Sequence, residues 1–273
     1  MIPTSQIERW LEEDVGHHDV TNHVPGETEG RLVAKESGVA AGLNAAEAVF
    51  SYLGVDADAL VEGGDPIEAG ETVFRVSGPA RAVLRGERVA VNVAGHASGV
   101  ATQTREAVDA AQKATNSADI DPPRIAGTRK TTPGLRGIEK RAVAAGGGDT
   151  HRLDLSHMVM VKDNHVAEMG MEEAVEHFRE RVSFATNIEV EVERPEDAPR
   201  AAEAGADIVL LDNLSPEDTA RGADLLPVDA LAEASGGIAV DDVPAYARTG
   251  VDIISMGSLT HSARALDYSF RTD

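Results

Sequence analysis

Arg129 and Lys130 open the densest run of positive charge in the chain, inside GTRKTTPGLR from Gly127 to Arg136. Between Arg124 and His165 eight Lys or Arg face four Asp or Glu, a local balance of +4, whereas the 273 residues together carry −22. Three of the five lysines, Lys130, Lys140 and Lys162, fall in that window. Arginine forks take carboxylate and phosphate oxygens two at a time, and lysine adds a compact charge. A positive island in so acidic a chain points to an anionic ligand. Thr131-Thr132-Pro133-Gly134 is turn chemistry, which places Thr128, Arg129 and Lys130 in a loop. Arg136, Lys140 and Arg141 follow at helical spacing.

AGGGDTHRLDLSHMVMVKDNH, Ala145 to His165, is the second motif. Its three glycines allow close backbone approach to a ligand. His151 and Arg152 stand at the mouth of an apolar run that Lys162 ends. A buried strand ending on lysine needs an anion beside it, either a ligand or a carboxylate. His165 is read as a helix cap, with no role at a site.

Glu191 and Asp212 are carboxylates at the ends of adjacent strand patterns. They suit Mg²⁺ shared with substrate oxygens and water, or a salt bridge to Lys162 or Arg152, and the two readings are compatible. Ser235-Gly236-Gly237 and Met256-Gly257-Ser258 follow the last two strand patterns. In barrels, backbone N–H groups of such loops bind phosphate. GHHDVTNHV, with His17, His18 and His23, is expected to be a surface loop rather than a metal site.

The elements that must position these residues repeat. The strand patterns NIEVEVE, DIVLLD, ALAEAS and DIISMG end at Glu191, Asp212, Ser235 and Gly257, which are 21, 23 and 22 residues apart. That is the span of one strand and one helix, so the fold class is α/β with a parallel sheet, a barrel in preference to an open doubly wound sheet. Earlier, Ile7, Trp10 and Leu11 mark an amphipathic helix. Short strands including RAVLRG fill residues 30–84, around a helix at Asn44–Gly54, and Glu87–Ala111 reads as long helix. The expected division is an α/β domain over 1–105, a barrel over 106–260, and a closing helix over 261–273 that packs back on the first domain.

Composition excludes several classes. A net −22 repels nucleic acid and anionic membranes, and it is read as adaptation to a salty cytoplasm, where ions screen the repulsion. The absence of cysteine rules out disulfides and thiolate metal sites. MIPTSQIERWLEEDV lacks a basic leader and an apolar core, and the uncharged run Val89–Thr104 is too short and polar to span a bilayer. A cytoplasmic protein is expected.

TRKTTPGLR, GGGDTHRLDLSHMVMVKDNH, EVEVE, LLDN, SGGI and GSLTHS, in this order, resemble the quinolinate phosphoribosyltransferase family, as does ERVAVNVAGHASGVAT (87–102). The resemblance implies an N-terminal α/β sandwich domain and an incomplete α/β barrel. It also implies a homodimer or homohexamer in which one subunit's domain covers its neighbour's barrel mouth. The implied reaction joins quinolinate to phosphoribosyl pyrophosphate with Mg²⁺ and loses CO₂, giving nicotinate mononucleotide. Carried over, Arg129, Lys130, His151, Arg152 and Lys162 hold the quinolinate carboxylates and pyrophosphate, while Arg88 reaches the partner's site. Glu191 and Asp212 serve the ribose hydroxyls and the metal. The loops 235–237 and 256–258, with His261, hold the 5′-phosphate. Gly127 departs from the acidic residue expected before TRK. A relative with another acceptor, such as one serving a molybdenum-transport operon, and a non-catalytic barrel that binds a phosphate metabolite are the alternatives.

Overall fold

The computed structural model describes residues 2–116 and 120–272, and these fall into two compact units. The first comprises residues up to Arg105, together with Gly134–Gly147 and the segment from Ala263 onward. Its elements are α1 (Thr4–Val15), β1 (Glu27–Ala34), β2 (Gly38–Val39), α2 (Leu43–Tyr52), β3 (Asp56–Ala59), β4 (Pro66–Ile67), β5 (Thr72–Pro79), most of α3 (Ala80–Asn116), α4 (Arg136–Ala145) and β12 (Tyr268–Thr272). Four strands form an antiparallel sheet in the order β12-β1-β5-β3. Alternation puts Leu32, Phe74 and Val76 on its inner face against Phe50 and Leu43 of α2.

Two expectations change here. RAVLRG is the first turns of α3, because Val83, Ala90 and Ala94 recur at helical spacing against the same core. Asp273 lies outside the described residues, and residues 261–272 of the expected closing helix 261–273 are not helical throughout. They hold the end of a short helix and then β12, which pairs antiparallel with β1 through Leu32↔Phe270 and Ala34↔Tyr268. The edge of β1 supplies the hydrogen bonds, and alternation turns Tyr268 into the core.

Glycines in α3 let the chain after residue 262 lie against the helix. A Cβ on Gly99 would stand 2.1 Å from the Arg264 carbonyl oxygen, and one on Gly95 would stand 2.9 Å from that of Leu266. Leu266 N–H donates to the Gly95 carbonyl at 2.9 Å. Nearby, Ser98 Oγ lies 2.9 Å from the Tyr268 hydroxyl and accepts from Ala41 N–H at 3.0 Å. Burial pushes the Tyr268 phenol up to about 12 from an ordinary 10. The neutral phenol therefore contributes on the order of 2–3 kcal/mol that is complete below about pH 10 and lost as pH rises toward 12. Wild-type melting temperature is expected to fall steeply over that window and that of Tyr268→Phe to fall much less. Parallel curves would refute it.

The second unit comprises Glu106–Pro133 and Gly148–Ser262. It contains the end of α3, β6 (Arg124–Ala126), β7 (Val159–Val161), α5 (Asp163–Met169), α6 (Met171–Arg179), β8 (Ile188–Val192), α7 (Ala198–Glu203), β9 (Ile208–Asp212), α8 (Pro216–Asp224), β10 (Leu231–Ser235), α9 (Val243–Tyr246), β11 (Ile253–Ser255) and α10 (Ser258–His261). The strands are parallel in the order β6-β11-β10-β9-β8-β7, and Asp149 bridges Ala126 on the free side of β6. Among the described residues the ladder does not close, so this is an incomplete α/β barrel. Val190, Val192, Val209, Leu211, Ala232 and Ala234 face outward into the core shared with the helices. By the same alternation, Glu189, Glu191, Leu210, Asp212, Glu233 and Ser235 face inward.

The segment 134–147, expected within the barrel, belongs to the first unit. There Lys140 and Glu139 are buried, and Glu139 Oε1 lies 2.8 Å from His96 Nε2. Lys140, one cation of the island, is therefore buried in the first unit. No helix among the described residues is long and apolar enough to cross a membrane.

Candidate active site

The inward-facing strand ends and the loops after them enclose one cavity of about 460 Å³, within the range of small-molecule sites. Its lining includes Thr128, Arg129, Lys130, His151, Arg152, Lys162, Glu191, Asp212, Ser235, Gly236, Gly237, Gly257, Ser258 and His261. Each was expected at a site from sequence. Met160, Leu210, Glu233 and Ser255 also line it.

The cationic loop is held by its backbone. Gly127 N–H donates to the Asp149 carbonyl at 2.9 Å, so this anchor needs no side chain at position 127. Thr128 Oγ1 accepts from Lys130 N–H at 3.0 Å, and the Lys130 carbonyl accepts from Thr260 Oγ1 at 2.7 Å. A Cβ on Gly257 would press to 2.9 Å from Lys130 Cδ. On the next loop, Asp149 Oδ1 accepts from His151 N–H at 2.7 Å, which fixes a left-handed φ of 50° at His151.

Arg152 is buried, with one Nη donating to Met160 Sδ at 3.0 Å and its Nε buried without a partner. Burial, and then the charge of Arg129, pull its guanidinium below the usual value. Lys162 Nζ donates to Glu191, so the strand-terminal lysine does meet a carboxylate. Asp212 is shifted upward, by burial first and then by Glu191. His165 Nδ1 accepts from Lys162 N–H at 3.0 Å, a helix-start contact as expected.

The loop after β10 depends on glycine. Gly236 has φ 98°, and a Cβ there would sit 2.4 Å from Asn213 Oδ1. Ser258 Oγ donates to the Ile238 carbonyl at 3.1 Å, and His261 Nδ1 lies 2.7 Å from Ser262 Oγ.

Two expected site residues stand elsewhere. The Met256 side chain is in the barrel core and its N–H donates to the Ala126 carbonyl at 2.8 Å, so a one-residue offset turns it away from the cavity. Arg88 lies on the exposed face of α3, 3.4 Å from Glu87, and does not line the cavity of its own chain. His17, His18 and His23 are all exposed, in the surface loop expected for them.

The structure adds two carboxylates that sequence reasoning missed. Glu189 and Glu233 are both 0% exposed. Glu233 Oε2 lies 3.0 Å and Glu189 Oε2 3.9 Å from His151 Nε2. Burial, and then Glu233, push the Glu189 carboxyl well above the ordinary range. The available signal was the alternation itself, which puts Glu189 on the same face as Glu191.

Residues 18–98 match the model of the quinolinate phosphoribosyl transferase N-terminal domain, and residues 100–271 match that of its C-terminal domain. A probable nicotinate-nucleotide pyrophosphorylase [carboxylating] of Methanothermobacter thermautotrophicus is 44% identical, over 96% of each chain. The human nicotinate-nucleotide pyrophosphorylase [carboxylating] is 41% identical, over 97% of this chain and 90% of its own. The structure of the nicotinate-nucleotide pyrophosphorylase from Francisella tularensis superposes with a TM-score of 0.91 at 29% identity, covering 100% of this chain and 98% of that one. The chain belongs to the quinolinate phosphoribosyltransferase family.

Proposed function

We propose that this protein transfers the phosphoribosyl group of phosphoribosyl pyrophosphate to quinolinate with loss of CO₂, giving nicotinate mononucleotide and pyrophosphate for NAD biosynthesis. One observation carries the reading: Arg129, Lys130, Arg152 and Lys162 share a single cavity with Glu191 and Asp212. A dianionic acceptor and a polyanionic donor need such cations together, and a developing ribosyl cation needs carboxylates.

In this reading Arg129, His151 and Arg152 take the quinolinate carboxylates, while Lys130 and Lys162 meet the pyrophosphate. Glu191 and Asp212 take the ribose hydroxyls. Thr128, the loop 235–237, and Gly257 and Ser258 with His261 hold the 5′-phosphate. As the C1′–pyrophosphate bond breaks, the ribose becomes oxocarbenium-like. Carboxylates already aimed at it and cations aimed at the leaving group lower the barrier without reorganising. Once the ring nitrogen is glycosylated it is cationic, and its charge stabilises the carbanion left at C2 as CO₂ departs, which a proton from solvent then quenches to give the product. No general base is required for either step.

Mg²⁺ fits the donor chemistry. Glu191 and Asp212 offer hard oxygens at neighbouring strands, and Asp212 is disfavoured as an anion by burial first and then by Glu191. These two side chains would hold it, and when bound it would neutralise charge on the departing pyrophosphate. Arg88 suits the site of a second copy in a homodimer or homohexamer. The acidic surface suits a salty cytoplasm.

The test is product analysis in molar salt with Mg²⁺ and both substrates. Equal amounts of CO₂, pyrophosphate and nicotinate mononucleotide are expected, with no product from nicotinate as acceptor. No turnover by folded protein overturns the reading.

A further inference from the structure

His151, Glu189 and Glu233 bring their ligand-forming atoms within 4.8 Å of one another beneath the cavity. Both carboxylates are wholly buried, on strands separated only by β9. Both oxygens of Glu189 and Oε1 of Glu233 have no hydrogen-bond partner. Such an arrangement is costly, since a buried ion pair seldom repays its desolvation and an apolar pair of similar size is commonly as stable or more so. The neighbouring strand shows the apolar solution, with Leu210 at an inward position of β9.

What faces the two carboxylates is cationic and acceptor-side. His151 Nε2 lies 3.0 Å from Glu233, and the Arg152 charge is felt by Glu189 and Glu233 together. Arg152 is otherwise loosely held, with a buried, unpartnered Nε and a thioether as its hydrogen-bond acceptor. The Arg129 charge opposes that of Arg152, and the carboxylates offset it.

We infer that Glu189 and Glu233 are positioning residues for the acceptor. They form an anionic floor that orients the His151 ring and keeps the Arg152 guanidinium turned toward the cavity, ready for a pyridine dicarboxylate. This rests on the acceptor role given above to His151 and Arg152. The floor acts on the acceptor half of the site and leaves the donor half, at Lys130 and the loops 235–237 and 257–258, untouched. The fold retains the pair at a cost in stability, so function and stability move in opposite directions when it is removed.

Glu233→Gln and Glu189→Gln keep the shape and remove one ionisable carboxyl each. For Glu233→Gln we expect acceptor KM to rise about tenfold or more and phosphoribosyl pyrophosphate KM to stay within about twofold. Its melting temperature should equal or exceed that of the wild type. Unchanged acceptor KM in folded variants, or both KM values rising together with a falling melting temperature, would overturn the inference. The three side chains also make a divalent-cation donor set. If EDTA lowers the wild-type melting temperature and Zn²⁺ restores it, but not in Glu233→Gln, the pair is a metal site instead. Calorimetric binding of quinolinate, which needs no turnover, separates this inference from the proposed activity. Wild type that binds quinolinate without turnover sinks only the activity, whereas wild-type affinity in Glu233→Gln sinks only the floor.

Discussion

Arg152→Ala is expected to weaken quinolinate binding by about two orders of magnitude, on the order of 3 kcal/mol. The reason is cumulative. Arg152 lies in the cavity wall, buried, so its charge acts there with little solvent screening. Its removal deletes a two-pronged carboxylate partner and the opposing charge that Arg152 presents to the buried carboxyls. Affinity for phosphoribosyl pyrophosphate should change only a few-fold, because Lys130 and the glycine loops remain. Arg152→Lys should recover a minor part of the loss, since a point charge cannot replace a fork. Calorimetry with quinolinate alone is the measurement, and wild-type affinity in Arg152→Ala would remove this residue from the acceptor site.

The second large effect concerns stability. Gly99→Val should lower stability by on the order of 3 kcal/mol, seen as a melting temperature lower by roughly 6 °C or more. The new Cβ would meet backbone, the Arg264 carbonyl oxygen at 2.1 Å and Ala265 Cα at 3.0 Å. A side-chain tip could rotate aside, but this segment cannot, because Leu266 is tied to the Gly95 carbonyl and β12 to β1. Gly137 is the control. A Cβ there meets only the Arg141 guanidinium at 3.5 Å, so Gly137→Ala should be neutral or stabilising by up to about 1 kcal/mol from helix propensity. Equal losses in the two variants would show that the close approach at Gly99 is not what matters.

Much of the barrel was legible because its signal is periodic. Three strand ends fall at or within one residue of Glu191, Asp212 and Ser235, as the spacing of apolar runs indicates. The cations were legible because they are rare elsewhere. What escaped depended on which way a residue faces. Met256 was placed one residue off the cavity. Glu233 lies mid-strand, where polarity alone does not distinguish an inward carboxylate from a solvated one. The end of the chain was misread because HSARALDYSFRT contains both helical and alternating spacing. The edge of β1, more than two hundred residues away in sequence, decides between them.

The pairing of β12 with β1 has a consequence for biosynthesis. The first sheet receives its outer strand only after every stave of the barrel has left the ribosome. Throughout that interval the nascent N-terminal half exposes the backbone edge of β1 to any passing extended segment. Chaperone capture during translation follows from that order of synthesis.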